Sequence, residues 1–334
     1  MPSVERSKGL GAMLRGLFDI ATTQIGRRLR DKNVTIAVMG PTGVGKTSFI
    51  NRASGSDLRV GAGLESMTQD VQRSQPFQLG DYRITLIDTP GFDDTRKTDA
   101  EILLQISNHL SMIARERRYL SGVIYMHRIT DNRMGGVATR NFRMFMHLCG
   151  EQALPNAAIV LNMWNEVNAD VGNARRQELL TNEKFFKPAI TAGAKAFEHD
   201  DTVQSAHRIL CHLAQQPPKI LLIQQEIVRK HVQIGMTSAG LALLQDLVDK
   251  EVKHRDRLQQ TQKDIEEAIR QREEGDRVEL EEALRELEST YKKLVQQKTS
   301  LLPTRSTRSW RPLLLRRLKH RATNVESSPQ SLLS

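Results

Sequence analysis

The chain has 334 residues, 39% of them hydrophobic and 26% charged, and its formal net charge at pH 7 is +10. This length is enough for one large domain with additions or for two domains. The basic excess lies at the ends, because residues 1–30 carry six basic and two acidic side chains and residues 216–334 carry 22 and 17, whereas the centre is nearly balanced. A near-neutral centre argues against a nucleic-acid-binding globule, and we expect no specific nucleic-acid partner.

Cysteine usage and hydropathy favour a cytoplasmic protein. Cys149 and Cys211 form no pairing motif, which is typical of reduced thiols in an intracellular protein. The longest uncharged stretch of note, 231–245, is too short to cross a bilayer as a helix, and no signal-peptide pattern is visible. The basic ends leave peripheral attachment to an anionic membrane surface as an alternative.

The first 32 residues are predicted to form a basic, amphipathic helix. Apolar residues recur at helical spacing from Leu10 to Leu29, with four arginines around them. Packing on the body of the protein, contact with a membrane and a mitochondrial transit peptide are the alternatives. Glu5 and Asp19 count against the transit peptide.

Residues 33–217 alternate between strand and helix patterns, which predicts a mostly parallel α/β sheet covered on both faces. The domain is predicted to end at Pro217 and Pro218, because proline stops the preceding helix. The predicted strands are Val34–Met39, an edge strand at Val71–Leu79, Ile84–Ile87, Val123–Met126 and Ala158–Leu161. The predicted helices are 46–53, 99–118, 137–149, 171–182 and 201–214.

The remainder is predicted to be a helical, coiled-coil-like region over 218–300 and a basic, disordered tail over 301–334. The apolar seam changes register near Gly275, which indicates either a stutter or a helical hairpin that turns there. Such a region could bind partner helices. The tail carries seven Arg or Lys and no acid over residues 304–321, which suits an anionic membrane surface or a plain solvated segment. The seam is formed by Leu241, Leu244, Val248, Leu258, Gln262, Ile265, Ile269, Leu280, Leu284, Leu287, Tyr291 and Leu294.

The strongest motif is GPTGVGKTSFIN at 40–51, which follows a strand pattern and precedes a helix pattern. In this P-loop the glycines allow the backbone to wrap around phosphate oxygens, while the helix N-terminus faces the phosphates. Lys46 would bridge the β- and γ-phosphates, and the hydroxyl of Thr47 would bind Mg²⁺. The candidate nucleotide-binding residues here are Gly40, Pro41, Thr42, Gly43, Val44, Gly45, Lys46, Thr47 and Ser48.

A second motif, DTPG at 88–91, directly follows an apolar strand pattern. Asp88 at the strand end would hold the magnesium directly or through water, and Gly91 would offer its amide to the γ-phosphate. The two motifs in this order predict a site for a nucleoside triphosphate and Mg²⁺.

These segments, with GAGLESMTQDVQ at 61–72 and DTPGFDDT at 88–95, resemble GTPases of the septin, immunity-associated and chloroplast outer-envelope receptor group. YMHRITDNRMGG at 125–136, MFMHLCG at 144–150 and the segment 185–210 resemble more closely a set of fungal G-domain-containing, AIG-type proteins. The resemblance covers residues 33–214. It implies a G domain that binds GTP and GDP with Mg²⁺.

The resemblance also places two switch residues. Thr68 matches the threonine that closes on Mg²⁺ and the γ-phosphate. Phe92 falls where other GTPases carry a glutamine that orients the attacking water, and a phenyl ring cannot do so. Slow hydrolysis is therefore expected, and relatives with an apolar residue here often gain activity by dimerising across the nucleotide face. Arg128 and Arg133 could supply a charge to a neighbouring subunit, or could be solvent-exposed ion-pair residues.

The base-recognition segment departs from the family pattern. Where Asn-Lys-x-Asp is expected, the chain has Asn162, Met163, Trp164 and Asn165. A carboxylate accepts charge-assisted bonds from guanine, so an amide at 165 weakens selectivity over adenine. Trp164 could stack on the base or could be a packing residue. A slow GTPase switch activated by dimerisation is the first functional hypothesis, and a non-hydrolysing nucleotide-binding scaffold or an ATP-binding protein are the alternatives.

Overall fold

A computed structural model describes residues 32–58, 70–94, 96–131, 135–271 and 274–302. The predicted N-terminal helix, the switch residue Thr68, Arg133 and the basic tail beyond residue 302 lie outside these residues. Within the described ranges, no helix is both long and apolar enough to cross a membrane.

The described residues contain a seven-stranded sheet in which five strands run parallel in the order β4-β1-β5-β6-β7. Two short antiparallel strands, β2 and β3, pair with β4 at one edge. The strands are β1 (Lys32–Met39), β2 (Gln72–Arg73), β3 (Phe77–Leu79), β4 (Tyr82–Asp88), β5 (Gly122–Arg128), β6 (Ala157–Asn162) and β7 (Lys195–Glu198).

Helices follow the parallel strands and cover both faces of the sheet, as predicted. They are α1 (Lys46–Ser54), α2 (Asp99–Arg115), α3 (Gly136–Cys149), α4 (Ala169–Thr181), α5 (Lys187–Thr191), α6 (Val203–Ala214), the single turn α7 (Leu222–Gln224), α8 (Ser238–Gln271) and α9 (Glu274–Leu301). Short 3₁₀ or π turns cover Glu151–Asn156, Trp164–Glu166, Gln225–Arg229 and Ile234–Met236.

The apolar sequence of β1 explains why it is central. Val34, Ile36 and Val38 pack into one core cluster, while Ala37 and Met39 pack into the cluster on the opposite face. Burial on both faces is the expected environment of a central parallel strand. The carboxyl ends of the parallel strands therefore meet at one edge of the sheet, where the conserved geometry of such folds places ligands.

Two edge predictions were incomplete. The predicted edge strand at Val71–Leu79 is broken between β2 and β3. There the amide of Leu86 donates to the Ser74 hydroxyl at 2.9 Å in place of a backbone carbonyl, and Pro76 has no amide hydrogen to donate. β7 was not predicted, because its four residues are half-buried or exposed and carry no apolar run. The segment AGAK at 192–195 enters β7 and so lies at its amino end. The loop at the carboxyl end begins at His199.

The region after Pro218 is not one continuous helix. Short turns fill residues 219–237, and a helical hairpin of α8 and α9 follows. The hairpin, one of the two predicted alternatives, is identified by contacts between its arms: Glu251 pairs with Lys298 and accepts a hydrogen bond from Tyr291. The described part of α8 ends at Gln271 and α9 begins at Glu274, so Gly275 lies inside α9. The seam predicted for α9 is buried or half-buried, but in α8 Gln262 and Ile269 are exposed and Ala268 is buried instead.

The base of the hairpin packs on α2 and α3. Ala239, Leu243 and Leu247 of α8 are each at most 1% exposed and join the core cluster of the sheet domain. Arg143 of α3 forms an ion pair with Asp246 of α8. The start of the hairpin is thus part of the core of the domain that carries the sheet.

Candidate functional site

The P-loop connects β1 to α1 at the carboxyl edge of the sheet. Gly40, Gly43 and Gly45 have positive φ angles of 144°, 78° and 87°. Gly45 caps α1 in the left-handed conformation, which favours glycine. Val44 is fully buried and Ser48 is half-buried in the first helical turn. The loop therefore presents its backbone next to a helix N-terminus, an arrangement suited to phosphate oxygens.

Lys46 lies inside this loop and is only 7% exposed. Its Nζ donates to the carbonyl oxygens of Gly40 at 2.9 Å and Pro41 at 2.8 Å. Burial lowers the pKa of Lys46, and the nearby carboxylates of Asp88, Asp93 and Asp94 oppose that change. The amine of Lys46 is thus held by uncharged carbonyl oxygens. The oxygens of a triphosphate carry the opposite charge and can take over these hydrogen bonds.

Thr47 and Asp88 are brought together from elements far apart in sequence. The Thr47 hydroxyl donates to Asp88 Oδ2 at 2.6 Å, and Asp88 is fully buried at the end of β4. Burial raises the pKa of Asp88, while the Thr47 hydrogen bond and the charge of Lys46 lower it. The other oxygen, Oδ1, is buried without a hydrogen-bond partner among the described residues. A hydroxyl and a carboxylate with a free oxygen fit a divalent cation that prefers oxygen ligands.

The DTPG motif closes on the P-loop. A Cβ added at Gly91 would lie 2.5 Å from Thr42 N and 2.7 Å from Thr42 Oγ1, so only glycine allows this approach. The amide of Thr42 donates to Asp93 Oδ1 at 2.7 Å. Sequence reasoning missed this contact, although Asp93 lies inside the quoted DTPGFDDT motif.

Phe92 faces away from the loop. It is 6% exposed and packs in the core cluster, and its amide donates to Asn141 Oδ1 at 3.2 Å. Asn141, another residue missed from sequence, is itself 2% exposed on α3. The ring is therefore a core side chain.

The base segment begins with a contact to the P-loop. Asn162 Nδ2 donates to Val44 O at 3.0 Å and is buried at the end of β6. Met163 adopts a left-handed conformation, with φ 63°, and Asn165 is exposed beyond it. Asn162 thus holds the loop, and Asn165 lies exposed three residues after it.

Trp164 is engaged in packing. Its indole Nε1 donates to Leu161 O at 3.0 Å, and the ring is half-buried against the core cluster. A Cβ added at Gly172 of α4 would lie 2.7 Å from the ring edge. This arrangement favours the packing alternative; a stacking role on the base stays a prediction.

Replacing Gly172 with Ala is expected to push Trp164 outward, because the new methyl group takes the place of its ring edge. The gain in helix propensity of about 1 kcal/mol offsets part of the lost packing, so the free energy of unfolding should change little. The fluorescence emission maximum of Trp164 should shift to longer wavelength. It is recorded in a Trp310→Phe background, so that Trp164 is the only tryptophan. Asn173→Ala, at an exposed position of the same helix, is the control and should leave the emission unchanged. An unshifted spectrum for Gly172→Ala would contradict this packing.

Arg128 ends β5 beside the P-loop. A Cβ added at Gly43 would lie 3.7 Å from its guanidinium, and Arg128 pairs with Asp131 at 3.0 Å. Arg175 of α4, which sequence reasoning missed, donates to Ile129 O at 2.9 Å and so supports the same loop. An arginine is therefore present at the rim of the phosphate loop.

Comparison with known proteins finds similarity to GTPases over part of the chain. Residues 35–134 match the family described as 50S ribosome-binding GTPase. GTP-binding protein A of Dictyostelium discoideum is 34% identical over 144 residues, which is 40% of this chain and 29% of that protein. Cell division control protein 10 of Candida albicans is 32% identical over 88 residues, covering 23% and 25% of the two chains. The matched segments are thus about a quarter to a third of these relatives' length.

Solved structures that match part of the chain include Toc33 from Arabidopsis thaliana in complex with Mg²⁺ and GMPPNP. That match has a TM-score of 0.45 and 16% identity, and it covers 60% of this chain and 92% of that one. Era of Aquifex aeolicus bound to GDP·AlF₄⁻ has a TM-score of 0.40 and 15% identity, with 56% and 58% covered.

The sheet order, the loop geometry and the matched segment identify the fold as that of a P-loop GTPase, with a helical extension after residue 218.

Proposed function

We propose that the protein binds GTP and GDP with Mg²⁺ and is a slow GTPase switch activated by dimerisation through its nucleotide face. The observation that carries the proposal is the junction of the P-loop with Asp88, where Lys46 is buried among backbone carbonyls and Thr47 bonds the carboxylate. Both phosphate-binding motifs contribute to one continuous surface at the sheet edge.

In this proposal the amides from Gly43 onward hold the β-phosphate, and Lys46 contacts the β- and γ-phosphates. Thr47 and Asp88 hold Mg²⁺, which when bound neutralises phosphate charge, and Thr68 completes the metal site. Gly91 donates its amide to the γ-phosphate. The remaining proposed contacts to the nucleotide come from Gly40, Pro41, Thr42, Val44, Gly45, Ser48, Asn162, Trp164 and Asn165.

Guanine is the proposed base. The resemblance of the whole segment 33–214 supports it, and Asn162 keeps the loop contact seen in the structure. The amide of Asn165 has a single acceptor oxygen and no charge, so discrimination against adenine is proposed to be weak. Heat denaturation of the purified protein followed by chromatography identifies the bound base; adenine nucleotide would overturn this assignment.

Dimerisation through the nucleotide face is supported by the rim of the site. Arg128 is partly exposed there, with 38% of its side chain accessible. Three exposed valines, Val137, Val171 and Val203, lie at the starts of the helices that follow β5, β6 and β7, at the same sheet edge. A partner copy covering this edge would bury the valines and bring a second arginine to the phosphates.

The turnover rate per molecule is expected to rise with protein concentration, because the dimer completes the site. Phosphate release is measured for the wild type, Lys46→Ala and Arg128→Ala from low to high concentration. Lys46→Ala should show no turnover at any concentration. Arg128→Ala should still bind GTP, but its turnover rate per molecule should not rise with protein concentration. An increase that Arg128→Ala retains would contradict the role of this arginine.

The burial of Phe92 favours a second candidate, a nucleotide-binding scaffold without turnover. Tight GTP binding by the wild type with no hydrolysis at any concentration would select it. In either case the hairpin of α8 and α9 is proposed to bind partner helices, and the basic tail is proposed to contact an anionic membrane surface.

A further inference from the structure

The side chain that follows Phe92 is directed to the P-loop. Phe92 is fixed on the core side by its buried ring and by the hydrogen bond of its amide to Asn141. The next residue, Asp93, places Oδ1 at 2.7 Å from the amide of Thr42. The chain therefore presents a carboxylate at the P-loop directly beside the position that has lost the usual glutamine.

Thr42 lies near the start of the loop, two residues after Gly40. The amides that hold the β-phosphate belong to later loop residues, and Lys46 reaches toward the γ-phosphate. Burial lowers the pKa of Lys46 and the charge of Asp93 opposes that change, so the carboxylate and the amine share one electrostatic environment. Asp93 is also half-buried, so fewer bulk water molecules reach its carboxylate.

We propose that Asp93 is a catalytic residue that orients the attacking water and accepts its proton, the task that Phe92 cannot perform. This inference rests on the proposed GTPase function. The water oxygen forms a bond to the γ-phosphorus, and the bond from that phosphorus to the β–γ bridging oxygen breaks. The electron pair of the broken bond stays on GDP, and the proton passes to the Asp93 carboxylate and then to solvent. A positioned general base contributes about 10²- to 10⁴-fold to such a step.

Asp94 offers a matched control. Its charge also acts on Lys46, but its Oδ1 accepts the amides of Arg96 at 2.7 Å and Lys97 at 3.2 Å. Asparagine at 94 can keep both bonds through its carbonyl oxygen. Asp94→Asn therefore removes one negative charge near Lys46 without removing the carboxylate at Thr42.

The test is single-turnover hydrolysis of preloaded GTP at saturating Mg²⁺ by the full chain, at a concentration where the wild type turns over. Asp93→Asn is expected to slow hydrolysis about 100-fold with GTP affinity within about threefold of wild type, whereas Asp94→Asn keeps the rate within about twofold.

The outcomes separate this inference from the proposed function. A wild type that hydrolyses GTP and an Asp93→Asn variant with the same rate would overturn the catalytic role alone. Tighter GTP binding by Asp93→Asn at an unchanged rate would also overturn it, because the carboxylate would then only compete with the phosphate. No wild-type hydrolysis at any concentration would overturn the proposed GTPase and this inference together.

Discussion

Gly40→Ala is expected to lower the affinity for GTP at least about 100-fold. The new Cβ would lie 2.5 Å from the carbonyl oxygen of Met126 in β5, a central strand that cannot move aside. The φ angle of 144° adds strain for any residue with a side chain. The P-loop must shift, and its amides then lose their alignment with the phosphates. Affinity is measured by titration with a fluorescent GTP analogue.

Gly55→Ala is the control for the backbone strain. Gly55 also has a positive φ, 67°, but nothing lies within 4 Å of its added Cβ. The Gly55→Ala substitution should lower the free energy of unfolding by about 1–2 kcal/mol and leave nucleotide affinity unchanged. Equal losses of affinity in the two variants would show that strain, and not the contact with Met126, is responsible.

Leu243→Ala is expected to destabilise the protein by about 3 kcal/mol, since deleting a buried leucine removes transfer energy and leaves a cavity. Leu243 is 1% exposed and joins the core cluster that includes helices of the sheet domain. Urea denaturation followed by circular dichroism gives the free energy of unfolding.

Ile269→Ala, on the same helix, is the comparison, because Ile269 is 54% exposed near the far end of the hairpin. A surface change of this kind should cost about 0.5 kcal/mol or less. Similar costs for the two substitutions would contradict the packing of the hairpin base on α2 and α3.

The phosphate half of the site could be predicted because its signal is local. In the P-loop, glycines, lysine and threonine occur at fixed spacing within eight residues, and a single strand pattern precedes them. Contacts between distant segments left no such signal. Thr42 and Asp93 are 51 positions apart, and Phe92 and Asn141 are 49 apart, so only the fold shows that they meet.

In the helical region, too, the sequence did not show which distant segments are in contact. Its helical period was evident from the apolar spacing, but a change of register near Gly275 fits a stutter as well as a turn. The choice depends on whether the two arms can bury each other, and the pairing of Glu251 with Lys298 provides that information. β7 was missed for the opposite reason, since a short half-exposed strand lacks the apolar run that predicts one.

The hairpin returns to its starting point, because α9 ends close to where α8 begins. The carbonyl of Leu301, where α9 ends, lies against Gly235, just before α8 begins. Beyond Glu251, α8 continues for about 30 Å at 1.5 Å per residue. At the base of the hairpin, Asp246 of α8 pairs with Arg143 on α3. Asn141 on the same helix accepts the hydrogen bond of the Phe92 amide. Helix α3 therefore joins the segment that follows the DTPG motif to the base of the hairpin through two of its own side chains.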